Sequence, residues 1–365
     1  MNNDKRMQWI LAFDNCQLKD SEKSQFVDYE ICSETRIPGV LEYGNFLHCV
    51  FYDFDIDENG LYTYILRIKF PPNNENFSKN NYSHSGYYFA NGIIGELLAV
   101  FSFYFQVRFY LKAKISGDIS ENDTRIRTTY KLNNRQFNKS LGKLINKEMF
   151  SSDKQKNWAC DDLKIFLDNI RKIDQKYHQN LIRSFYWYSE SIKEIGYDHQ
   201  LFFIKMVSAI EALLPFISFK KDDLQKKITS LIDKDVFLKN ENDELRNWLS
   251  NRSISRRFVQ FIKKYSVGFL KGGKRKAEHC FIRKNDINTY IKRIYKARSK
   301  YLHEGVPMYL SMDLNDKNAI CWDVDPTQGQ MIDRGKIDGK TKLPRTRWFE
   351  RIVNYSIKKF INTLT

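Results

Sequence analysis

The sequence predicts an α+β protein, with a β-rich N-terminal domain over residues 1–155 and an all-α helical bundle over residues 156–365. Three observations carry that expectation. Up to about residue 150 the chain reads as short segments rich in Phe, Tyr, Ile and Val; from about Asp161 apolar residues recur at three- and four-residue steps; and 365 residues exceed what one hydrophobic core usually organises. A hydrophobic content of 42% can supply two cores, and 27 Phe and 21 Tyr against 16 Gly and 7 Pro exclude a low-complexity chain.

In the first domain, FLHCVFYDFDI and LYTYILRIKF are of strand type, and Asp57 to Gly60 (DENG) between them supplies residues that tolerate positive φ, so the two form a hairpin. The Asn-rich stretch Pro71 to Ser85 reads as an exposed loop. GELLAVFSFYFQVRFYL, from Gly95, starts like a helix and ends like a strand, and the pattern leaves both types open. In the second domain, Leu163, Phe166, Leu167, Ile170, Ile173, Tyr177, Leu181, Phe185, Tyr188, Ile192 and Ile195 form one stripe over many turns. Asp161 or Asp162 caps its start and Gly196 its end, which predicts one long helix. Leu201 to Phe216 is apolar nearly all round, apart from Lys205, Ser208 and Glu211, and is expected to be the central helix, ended or bent by Pro215. Lys220 to Asn251 reads as an exposed helical pair. Pro307, Pro326, Gly329, Gly335, Gly339 and Pro344 mark residues 306–345 as an irregular insertion, and Arg345 to Thr365 closes the bundle.

Lys and Arg number 60 against 44 Asp and Glu, a formal charge of +16, so polyanions are the natural partners. Nucleic acid fits better than a membrane, because the most apolar stretch, Phe89 to Leu111, contains Glu96, Gln106 and Arg108. The apolar part of MNNDKRMQWILAFDN is too short for a signal sequence, and six cysteines without a CxxC pair suit a reducing compartment. A cytoplasmic protein without a membrane partner is expected. Neighbours in sequence, His48 and Cys49 point to different sides, so a metal shared with His84 is not expected, nor is any other cofactor.

The helix Ile287 to His303 has Asn285 or Asp286 as a start signal and Gly305 and Pro307 as stop signals. Ile287, Tyr290, Ile291, Ile294, Ala297, Tyr301 and Leu302 fall on one side and Lys292, Lys296 and Lys300 on the opposite side, with Arg298 inside the apolar cluster. An arginine there must be paired, for which Glu211 on the central helix is the candidate, or must face a cleft or a partner subunit. Both can hold. His303 sits among the unpaired carbonyls at the helix end, where an imidazole either caps the helix or transfers protons. Before the helix, Lys271, Lys274, Arg275, Lys276, Arg283 and Lys284 form either a solvated loop or a track that steers RNA.

RSKYLH, Arg298 to His303, resembles the R-x4-H motif of HEPN ribonucleases. SAIEALL from Ser208, YLHEG from Tyr301 and GELL from Gly95 resemble the Apea-like branch of that family. The resemblance implies a HEPN bundle that pairs into a homodimer, where two motif helices make one cleft. It implies that His303 serves as general base or acid and that Arg298 holds the scissile phosphate of an RNA such as a transfer RNA, without a metal. Products would be a 2',3'-cyclic phosphate and a 5'-hydroxyl. It further implies a toxin-like effector of anti-phage defence, with the N-terminal domain sensing a phage-derived trigger or restraining the cleft. Many members carry Asn, Asp or His directly after the arginine; this chain has Ser299, which can still donate to a phosphate. A HEPN-shaped module that binds RNA or protein without cutting is the alternative.

Overall fold

The computed structural model describes residues 6–18, 25–34, 36–37, 39–51, 55–57, 60–70, 92–115, 160–195, 197–217, 223–234, 238–269, 287–308, 343 and 346–365. An antiparallel sheet near the N-terminus is followed mostly by helices, an α+β arrangement.

Helix α1 (Gln8–Leu18) precedes strands β1 (Gln25–Ser33), β2 (Val40–Tyr43), β3 (Leu47–Val50), β4 (Asp55–Ile56) and β5 (Tyr62–Phe70). Helix α2 (Gly92–Phe105) and strand β6 (Phe109–Lys114) complete the first part. The strand order is β2-β3-β5-β1-β6, with β4 also pairing β5. The longest ladder runs from Gln25↔Phe70 to Ser33↔Tyr62, and the β4–β5 hairpin closes at Asp57–Gly60 as the sequence suggests, with the Leu61 N–H donating to the Asp57 side chain at 2.9 Å. Alternation is clean: Val27, Tyr29, Ile31, Tyr64, Leu66 and Ile68 are buried, whereas Phe26, Ile65 and Arg67 face outward. The tight β2–β3 turn requires Gly44, whose φ is +55° and whose added Cβ would lie 2.7 Å from the Gln17 side chain on α1.

The undecided segment after Gly95 is both types in succession. Helix α2 continues through the aromatic run to Phe105, and β6 starts at Phe109. Burial on nearly every side explains the ambiguous pattern, because a helix enclosed all round loses its polar stripe. Helix α2 lies between the sheet and the bundle, against α1 and β6 on one side and against α4 (His178–Ile192) on the other.

The long stripe is two helices rather than one. Helix α3 (Cys160–Lys172) stops, a 3-10 turn spans Gln175–Tyr177, and α4 follows. Asp174 caps the turn by accepting from the Lys176 N–H at 3.0 Å, and buried His178 bonds the Ile173 carbonyl at 3.0 Å, so the break is built from polar groups that the apolar count ignores. The proposed end cap Gly196 lies outside the described residues. The central helix α5 (His199–Glu211) is capped by Asp198, whose carboxylate accepts from the Gln200 and Leu201 N–H groups at 2.9 Å each; Pro215 sits in a 3-10 turn, Leu214–Phe216. Then come α6 (Asp223–Asp233), α7 (Lys239–Tyr265), α8 (Ile287–Glu304) and α9 (Thr346–Ile361). Of the 306–345 insertion only 306–308 and Leu343 are described.

Helix α9 closes the C-terminal end of α2. Asn354 donates to the Phe103 carbonyl at 2.7 Å and Lys358 to the Tyr104 carbonyl at 3.1 Å, placing a cation where a helix end is negative. Burial pushes the Lys358 amine down to about 8, against the opposing pull of Glu350. The stretch His199–Phe216 is long and apolar enough to cross a membrane by length and composition; here it packs against α4, α7, α8 and α9. The described buried residues form one continuous core from Met7 to Ile361.

Candidate active site

Helix α8 follows its predicted limits. Ile287, Ile291 and Ile294 are buried toward α5 and α7, and the Tyr295 ring lies 5.2 Å from that of Phe258. Gly305, at φ +67°, ends the helix, with its N–H on the Tyr301 carbonyl at 3.1 Å. The chain then turns back to the start of α5: Met308 donates to the Gln200 side chain at 3.0 Å, and His199 Nε2 bonds the Met308 carbonyl at 2.7 Å. The motif helix end is therefore tied to the N-terminus of the central helix. Asn285 and Asp286, the predicted start signals, lie outside the described residues.

Arg298 meets Glu211 as the sequence suggests. Arg298 Nη2 donates to Glu211 Oε2 at 2.9 Å, and the two side chains are 19% and 21% exposed. The Tyr295 hydroxyl donates to the other carboxylate oxygen at 3.0 Å, and the guanidinium carbon sits 5.8 Å from the Tyr295 ring centre. Burial, then the neighbouring Glu211 charge, push the Tyr295 hydroxyl well up, which keeps it a donor. Arg298 Nε is buried without an acceptor among the described residues. An unpaired buried N–H of this kind costs about 1–3 kcal/mol. The signal that places Tyr295 in this cluster is its spacing of three residues from Arg298, on one helix face.

No family model, curated protein or solved structure matches the chain.

His303 is exposed and makes no hydrogen bond or ion pair to a described residue. Five residues along an ideal helix separate it from Arg298 by roughly 140° of rotation and about 7.5 Å of rise, so the two side chains leave the helix in different directions. The structure does not bring them together within the chain. Leu302, expected on the apolar side, is 47% exposed beside His303, and Val306 is 39% exposed. Ser299 is half-buried, and Lys292, Lys296 and Lys300 are exposed along the opposite side. Lys271, Lys274, Arg275, Lys276, Arg283 and Lys284 lie outside the described residues. Among the described residues no three His, Cys, Asp or Glu side chains gather as metal ligands; His48 faces outward on β3 while Cys49 is buried beneath it, and His84 is not described.

Proposed function

We propose that the protein is an endoribonuclease of HEPN type, cytoplasmic and toxin-like in anti-phage defence, with transfer RNA as the expected substrate class and Arg298 and His303 as its working groups. The observation that carries this is the state of Arg298: largely sheltered, bonded among the described residues to Glu211 alone, with a buried Nε that no described residue accepts from, on the same helix end as a solvent-facing imidazole. Glu211 occupies one of five guanidinium N–H donors, which leaves others for a phosphate. His303 takes the proton of a 2'-hydroxyl, the resulting alkoxide attacks the adjacent phosphorus, and the P–O5' bond breaks as the imidazolium so formed returns the proton to the departing 5'-oxygen. A 2',3'-cyclic phosphate and a 5'-hydroxyl remain. Because the two groups diverge around α8, a second copy of the chain completes the cleft in this proposal, and the exposed Leu302 and Val306 beside His303 give that homodimer an apolar contact.

A second reading has its own support. Glu211 and Tyr295 between them account for the placement of Arg298 without a substrate, as in a module that binds RNA or protein and does not cut. Incubating the full chain with total RNA in chelator, then mapping cut sites and end chemistry, separates the two. Enzyme activity predicts cyclic-phosphate ends that His303→Ala abolishes while RNA affinity stays within about twofold; equal cutting by both proteins removes the catalytic assignment.

A further inference from the structure

The outer face of the sheet, opposite the side that packs on α1 and α2, carries a hollow of about 200 Å³ lined by Phe26, the β2–β3 turn, His48, Arg67 and Lys69. Phe26 is 52% exposed as the second residue of β1, paired with β5 but short of the β6 ladder, which begins at Tyr29, and an apolar ring gains little from facing water there. Register places Lys69 directly across from it and His48 directly across from Arg67. Two cations flank the ring, with the Arg67 guanidinium carbon 5.7 Å and Lys69 Nζ 5.9 Å from its centre. Asp28 fixes Arg67 through parallel bonds of 2.8 and 2.9 Å, so that side chain is a rigid wall with its charge largely met. Among the described residues Lys69 has no carboxylate partner, whereas Arg67 and Lys112 on the same sheet have Asp28 and Glu30. An open aromatic face, a fixed guanidinium plane beside it and an ammonium at its edge together accept a planar heterocycle joined to a phosphate.

We propose that this hollow is a single-stranded RNA contact, in which a base stacks on Phe26 and the adjoining phosphate meets Lys69, with His48 at the rim. An acidic peptide is the poorer occupant, because it offers Lys69 a charge but has no planar base to stack on the Phe26 ring. The contact is separate from α8 and does not depend on cleavage.

Fluorescence anisotropy with a 2'-O-methyl, uncleavable single-stranded oligonucleotide tests it on the full chain. Phe26→Ala is expected to weaken binding about tenfold, as loss of one base–aromatic stack does. Phe26→Trp restores it, Lys69→Gln weakens it several-fold, and Ile65→Ala, an exposed residue on the same face outside the hollow, leaves it unchanged. Equal affinity of wild type and Phe26→Ala overturns the proposal. So does adenosine monophosphate or a poly-glutamate peptide binding with the same Phe26 dependence while the oligonucleotide gains nothing over it. Phe26-dependent binding by a protein that never cuts RNA keeps this contact and defeats only the nuclease reading.

Discussion

Glu96 is a carboxyl with almost no water around it, and its Oε2 accepts from the Trp9 N–H at the start of α1 at 3.1 Å. Burial raises its pKa from 4.5 to about 8, against the backbone N–H groups of Trp9 and Gln8, which favour the anion. The sign follows from linkage. Between 4.5 and about 8 the unfolded chain has lost this proton and the folded chain retains it, so stability falls as pH rises through that window and is fully present only below 4.5. Lys358 acts oppositely and higher: its folded-state value is depressed from 10.5 to about 8, so stability rises with pH between those limits. Glu96→Gln keeps an acceptor for Trp9 and removes the proton. The urea midpoint of the wild type, followed from pH 5 to 8, is expected to drop by an amount that the variant does not show. Parallel profiles in the two proteins would mean that Glu96 is ionised throughout.

At the scale of elements, α8 was the most legible part of the chain, because its Ile spacing and the Gly305 stop both arise from local backbone and packing rules that act within a few residues. The Glu211 partner was legible for a different reason: a guanidinium on an apolar face has few affordable solutions, and a lone carboxylate on the central helix is one of them. The break at Asp174 was hidden because both α3 and α4 bury the same kind of stripe, and the count of apolar steps passes over the residue that ends the first. The divergence of Arg298 and His303 follows from their five-residue spacing alone, and the motif pattern by itself conceals it. Lys292, Lys296 and Lys300 are exposed in one row on α8, and a phosphate backbone following that row meets three charges. Changing all three to Gln is expected to reduce the slope of log affinity against log salt by about two for a single strand, with little change in sequence preference. Titrations of the uncleavable oligonucleotide at several salt concentrations measure this; an unchanged slope would place the RNA on another face.

Across the whole molecule, side-chain packing crosses the change of sequence pattern near residue 155. Helix α2 comes from the first part of the chain, and its Phe103 ring lies 4.7 Å from Phe185 and 5.0 Å from Tyr188 in the bundle. Buried Arg108, beside β6, pairs with Glu34 at 2.9 Å and donates to the Ile195 carbonyl beyond the end of α4, joining the sheet to the bundle through one guanidinium. Tyr43 on β2 donates to Asp168 on α3 at 2.6 Å, and Arg171 reaches Asp14 on α1 at 2.9 Å. Composition reports which secondary structure each stretch prefers but not which faces meet, so a β-rich half and an α-rich half read as two bodies even where one core runs through both. Separating them would expose the aromatic faces of α2 and α4 and strand a buried guanidinium, which costs several kcal/mol. Sheet and bundle are therefore expected to unfold together. Hydrogen exchange in rising denaturant should show the amides of β1, β5 and α4 losing protection at one common free energy, and slow amides in α4 that persist after those of β1 and β5 have exchanged would show that the helical part stands alone.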